Sequence, residues 1–153
     1  MSVVTVYRHF RSLSDLIPAC TLSFITSVTP MTEAEAVAAF AQLAGPVEKL
    51  SKLIREDCAC YERGQQWFRV VIRERDVIPE LDEVASSAEA TLATLVAAAL
   101  DGTQAPPELH SALCAVIDFP FWRALIAAGL PEAAAPDVML DLARSLLARH
   151  RIA

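Results

Sequence analysis

The sequence predicts an all-α fold, and three observations carry that prediction. The 153-residue chain has only four glycines, Gly45, Gly64, Gly102 and Gly129, and each stands where an apolar periodic stretch begins or ends. Alanine and leucine dominate the stretches between them. No run alternates apolar and polar residues as a half-buried strand does; Trp67–Ile72 is strand-like in composition but lies inside a longer helical pattern.

Taken in order, Val3–Phe10 reads as a short helix and Arg11-Ser12 as a turn. Ser12, with Asp15 three residues later, resembles a capping box for a helix from Leu13 to about Ser27, which Pro18 should bend or restart. Thr29-Pro30 closes that unit. Thr32 caps a helix from about Glu33 to Leu43, with glutamates in its first turn where the helix dipole favours them. Pro46 opens the next helix, Val47–Arg63. Its Leu50, Leu53, Ile54, Asp57/Cys58 and Tyr61 recur with the period of one buried stripe, and Gly64 is read as its stop. Gln66–Val77 and Glu80–Leu100 follow as helices. Pro106-Pro107 opens another that runs to about Asp118, and Pro120 must kink or restart it before Phe121–Ala128. The last helix, Asp137 to about His150, is expected to bury Val138, Leu142, Ser145/Leu146 and Arg149.

Composition narrows the function classes. A hydrophobic share of 54% against 21% charged argues for a packed core and against disorder. The net charge of −6 excludes a chain that binds nucleic acid over its whole surface, so any DNA contact must come from a local basic patch. No membrane partner is expected, because no window of about 18 uncharged apolar residues exists. No signal-peptide layout opens the sequence. A cytoplasmic location is therefore expected, with Cys20, Cys58, Cys60 and Cys114 reduced.

The segment Ser2-Val3-Val4-Thr5-Val6-Tyr7-Arg8-His9-Phe10-Arg11-Ser12-Leu13-Ser14-Asp15-Leu16 resembles the recognition helix and following helix of TetR-family transcriptional regulators. The matching positions are Ser2, Thr5, Val6, Tyr7, His9, Phe10, Ser12, Asp15 and Leu16. A recognition helix must offer short polar groups to base edges and longer ones to phosphates. The resemblance implies that Thr5 faces the major groove with Ser2, Val3 and Val4 near it. It implies further that Tyr7 and His9 reach phosphates and that Val6 and Phe10 are buried anchors. Arg8 and Arg11 make this end locally basic. On spacing alone, Tyr7, His9 and Phe10 would equally suit an aromatic cluster closing a small helix pair. In the family, two helices precede this point. Met1 stands where the family commonly has Val, which a GTG codon read as a start would explain. The expectation is a truncated regulator whose DNA partner, an operator, is engaged only when the missing helices are present.

The resemblance also divides the chain into a helix-turn-helix remnant, 1–30, and a ligand-binding and dimerisation domain, 31–153. It implies a pocket for a small apolar ligand, with Leu53, Ile54, Cys58, Tyr61, Leu92, Leu95, Leu113 and Phe119 as candidate lining. Ile117–Leu125 is similar to the paired C-terminal helices of some members. Phe121, Trp122, Leu125 and Ile126, with Val138, Leu142 and Leu146, are the candidate homodimer interface. The reading is thus a TetR-like, ligand-responsive repressor. The alternative is an all-helical dimeric small-molecule-binding module without DNA function.

Other constellations carry less. Cys58 and Cys60 point about 200° apart on one helix and cannot share a metal. His110 and Cys114 stand at i, i+4, a spacing that could supply two ligands, but no second pair accompanies them. A buried thiol and a surface histidine are the preferred reading, and neither metal nor cofactor is expected. Arg69, Arg73, Glu74, Arg75 and Asp76 read as a solvated face with internal ion pairs. Asp57 falls beside the apolar stripe of its helix, either as a ligand-facing group or, the preferred reading, as its solvent edge. No phosphate loop and no Ser/His/Asp or Cys/His arrangement has supportive context, so an enzyme is not expected.

Overall fold

The computed structural model describes residues 12–28 and 30–152, which form helices joined by short turns with no strand among them. The elements are α1 (Leu13–Val28), α2 (Glu33–Phe40), α3 (Pro46–Glu74), α4 (Pro79–Ala99), α5 (Pro107–Ile117), α6 (Phe119–Ala127), a single 3₁₀ turn (Glu132–Ala134) and α7 (Ala135–Arg149). The expected helix Val3–Phe10 and the DNA-facing positions Ser2, Val3, Thr5, Tyr7 and His9 lie outside the described residues, as do Arg11 and Thr29.

Local chemistry sets the boundaries. The backbone N–H of Asp15 donates to Ser12 Oγ at 3.2 Å, capping the start of α1. Thr32 and Glu35 form a complete capping box on α2: Glu35 N–H donates to Thr32 Oγ1 (3.3 Å), and Thr32 N–H donates to Glu35 Oε2 (2.9 Å). Helices α3, α4, α5, α6 and α7 all carry a proline in the first turn, where no backbone donor is missed. The break after α5 is made at Asp118. Its extended backbone (ψ 153°) ends α5, and its carboxylate accepts from Phe119 N–H at 2.7 Å to start α6. Helix α6 therefore begins two residues before the expected Phe121, with Pro120 in its first turn.

Three sequence expectations are corrected here. Gly64 does not stop a helix. The 29-residue α3 runs through it, joining the two helices expected at Val47–Arg63 and Gln66–Val77. A Cβ at Gly64 would lie 2.5 Å from Cε2 and Cζ of Phe24 and 3.0 Å from Cε2 of Phe68, so the missing side chain lets α1 dock against α3. Helix α1 likewise is not restarted at Pro18 but continues through it as one element. In α7 the buried residues are Ala135, Met139, Leu140, Ala143 and Leu147, displaced around the helix from the expected Val138, Leu142, Ser145/Leu146 and Arg149. The small Ala135 and Ala143 let α7 approach closely, and Met139 Sδ lies 3.6 Å from Cys58 Sγ of α3.

Helix α3 runs through the centre of the bundle, packed by α4, α7, α6 and α1. The main core is built on Leu50, Leu53, Ile54, Cys58 and Tyr61 of α3 with Leu95, Val96, Leu109, Leu113, Ile117, Trp122, Met139 and Leu147. A smaller cluster, Ile17, Val71, Leu81 and Ala85, joins α1 to the far ends of α3 and α4. No single described helix is long and apolar enough to cross a membrane. Helices α5 and α6 would reach that length together, but they meet at 49° and bury Leu109, Leu113, Ile117, Phe119 and Trp122 in the core.

Candidate functional site

Between the main core and the smaller cluster the helices do not close. The gap is a cavity of about 910 Å³ bounded by α1, α3, α4 and the α5–α6 junction. That volume suits a drug-sized ligand. Its walls follow from helix periodicity. On α1, Ile17, Thr21 and Phe24 recur at i, i+4 and i+7; on α3, Asp57, Tyr61, Phe68 and Ile72 do the same over a longer span.

The aromatic wall is continuous. Tyr61 meets Phe68 edge-on at 5.3 Å and Phe119 at 5.5 Å, and Phe68 stacks on Phe119 at 4.9 Å. Phe24 brings α1 to this group, 5.1 Å from Phe68 and 5.9 Å from Trp67. The Tyr61 hydroxyl donates to the Ile117 carbonyl at 3.2 Å, which fixes the ring.

The charged lining is of one sign. Among the described lining residues are the carboxylates Asp57, Glu80, Glu83, Glu89 and Asp118, and no Lys, Arg or His. Glu80 and Glu89 stand at the rim with partners: Ser14 donates to Glu80, and Arg75 pairs with Glu89 as well as with Asp82, the latter at 2.8 Å. Arg75 thus pairs across to α4 rather than within its own charged run. Asp57 differs from the rim carboxylates. It is half-buried on the cavity wall, and among the described residues it has no hydrogen-bond or ion-pair partner. Burial first, then the negative charges of Asp118 and Glu56, push its pKa up to about 7. Burial also raises Asp118, against the bond from Phe119 N–H. The thiol of Cys60, on the same wall, is pushed up to about 11 by burial and then by Asp57. Asp57 thus lines the cavity, where it is half-buried rather than enclosed.

Of the expected pocket residues, Tyr61, Leu92, Leu95 and Phe119 line the cavity. Leu53, Ile54, Cys58 and Leu113 are corrected to the closed core, each at most 1% exposed. These four share the buried stripes of α3 and α5 but do not line the gap, and Cys58 lies against Met139 of α7. Residues on α1, together with Asp57, Trp67 and Phe68, complete the wall. The spacing of Ile17, Thr21 and Phe24 was the available signal for α1.

On the expected dimer face, Trp122 is corrected to the core at 1% exposure, stacked on Phe119 at 5.7 Å. Phe121, Leu125, Ile126, Val138 and Leu146 are half-buried, and Leu142 is exposed. His110 Nε2 lies 2.9 Å from the Ala93 carbonyl and Nδ1 lies 3.9 Å from Cys114 Sγ, so the ring is held within the fold. Among the described residues no group of three or more His, Cys, Asp or Glu is placed to hold a metal ion.

No protein-family model, no curated protein and no solved structure matches the chain.

Proposed function

We propose that the chain is a TetR-like, ligand-responsive transcriptional regulator, in which a small, largely apolar molecule in the central cavity alters DNA binding by the N-terminal segment. The observation that carries this reading is the place of α1. It follows directly on the segment with the recognition-helix resemblance, and it forms one whole wall of the cavity through Ile17, Pro18, Thr21, Leu22, Phe24 and Ile25. Only Ile17 and Val28 of its residues are fully buried, and besides its cavity-facing side chains α1 is tied down by Ser14 donating to Glu80 and by Arg63 donating to the Val28 carbonyl. A ligand that fills the cavity changes what α1 rests on, and the change is delivered to the residues just before it. Coupling of this kind needs a ligand that prefers one position of α1 over another. The half-buried apolar residues of α6 and α7 support a homodimer, which would set the spacing of two DNA-reading segments.

The test is a mobility-shift assay with protein carrying whatever in-frame codons precede Met1, on duplex DNA from upstream of its own gene. The expected result is retardation at protein concentrations that leave a random-sequence duplex free, with thiol and salt conditions held constant. Equal retardation of both duplexes, or of neither, would overturn the reading and leave an all-helical small-molecule-binding module without DNA function.

A further inference from the structure

The charge and shape of the cavity say more than that its ligand is apolar. All five charged residues among its described lining are acidic. Two of them, Asp57 and Asp118, are half-buried and close to the aromatic group of Tyr61, Phe68 and Phe119, Asp118 directly preceding Phe119. Asp118 has one oxygen committed to the Phe119 N–H, whereas Asp57 has no partner among the described residues. A half-buried carboxylate without a partner is partly stripped of water, and a cation brought to it relieves that cost. Aromatic faces attract the same sign of charge. A neutral or anionic guest would leave the cost of Asp57 in place or increase it.

We propose that the cavity takes a lipophilic cation, its charge met by Asp57 with Asp118 behind it and its apolar body held against Tyr61, Trp67, Phe68 and Phe119. This proposal rests on the reading of the cavity as the ligand site of a regulator, but not on the DNA partner. The surroundings of Asp57 fix the sign of its proton traffic. On its own helix Cys60 and Tyr61 share the cavity wall with it and Glu56 and Cys58 are its chain neighbours, while the α5–α6 junction brings Asp118. Helix α4 brings Glu80, Glu83 and Glu89 to the cavity, with Arg75 at the rim held by Glu89 and Asp82. Helix α1 presents the hydroxyls of Ser14 and Thr21. No described base shares the wall. A cation arriving near neutral pH therefore drives the Asp57 proton off to the buffer.

The experiment is calorimetric titration of the full chain with tetraphenylphosphonium and with tetraphenylborate, which share size and shape and differ in charge. Both ions keep their charge at every pH used, so any proton exchanged comes from the protein. The cation should bind at least about tenfold more tightly than the anion. Its affinity should fall by about fivefold to tenfold from pH 8 to pH 6, with proton release near pH 6.5, seen by comparing buffers of different ionisation heat. Asp57→Asn should weaken the cation by about tenfold and abolish both the pH dependence and the proton release. It removes a partly desolvated charge without a partner among the described residues and so favours the folded state. Equal or tighter binding of the anion overturns the proposal. So does cation binding unchanged in Asp57→Asn, or failure of both tetraphenylphosphonium and the flexible cation dodecyltrimethylammonium, used below its micelle concentration. Each of these outcomes leaves the DNA retardation assay unaffected, so loss of the cation proposal and loss of the regulator reading are told apart.

Discussion

At the scale of the residue, Asp57 shows how position decides chemistry. It occupies an ordinary helical register four residues before Tyr61, but the cavity wall it joins is aromatic on one side and acidic on the other. Its carboxyl pKa is about 7 when folded against an ordinary value of 3.8. The sign follows from that difference. Below about pH 4 both folded and unfolded chains carry the proton, and the residue costs nothing. As pH rises toward 7 the unfolded chain ionises first, so the cost to folding grows, and above about 7 it is constant. Asp57→Asn should therefore stabilise the ligand-free protein by about 1–3 kcal/mol at pH 8, with the gain fading toward pH 4. Urea unfolding at the two pH values measures this, and a variant no more stable than the native chain at pH 8 would contradict the raised pKa of the carboxylate.

At the scale of the element, α3 and its docking partner α1 depend on Gly64. In an exposed helix interior, Gly→Ala gains about 1 kcal/mol from propensity alone. Here the added methyl would enter the Phe24 ring, 2.5 Å away, and press on Phe68. Gly64→Ala is expected to lose that gain and destabilise by about 1 kcal/mol, because Phe24 must leave its place between Trp67 and Phe68. Hydrogen exchange should show the loss concentrated in α1, whose last carbonyl, Val28, accepts from Arg63 Nε at 3.1 Å on the same stretch of α3. Uniform protection across the molecule would argue against this docking role. The same glycine explains one limit of sequence reading. Glycine ends helices by adopting positive φ, as Gly102 (+81°) and Gly129 (+95°) do, or it permits close approach inside one, as Gly64 does. Sequence alone offers the two readings equally when the approaching ring belongs to a residue forty positions earlier. Prolines at first turns and the Thr32 cap were legible, because their causes are local. The stripe of α7 was not. Leu142 and Met139 both fit a helical period, and the small Ala135 and Ala143 that set which face docks are legible only once α3 is beside them.

At the scale of the whole molecule, the all-helical class was legible from composition and punctuation, whereas the cavity was not. A gap between two clusters is a property of what fails to pack, and no residue type announces it. Four of the eight expected pocket residues fell in closed core because a buried stripe and a cavity wall have the same periodicity in sequence. The outer face of α6 and α7 is the other whole-molecule feature. Leu142 is 39% exposed, with Val138 and Leu146 half-buried beside it. If this face joins two copies, Leu142→Glu should place two like charges across the two-fold axis and shift the protein to monomer by at least about tenfold in dissociation constant. Sedimentation velocity over a concentration series checks this. A native chain that stays monomeric at high concentration would exclude the face as a self-association surface.

The placement of the two tryptophans has a practical consequence. Trp67 stands in the wall of the cavity and Trp122 is sealed in the interior beside Phe119. Their emission should separate, with Trp122 blue-shifted and shielded from acrylamide while Trp67 answers to collisional quencher and to whatever occupies the space in front of it. With Trp122→Phe the remaining indole becomes a built-in optical gauge of occupancy, read without attaching a dye.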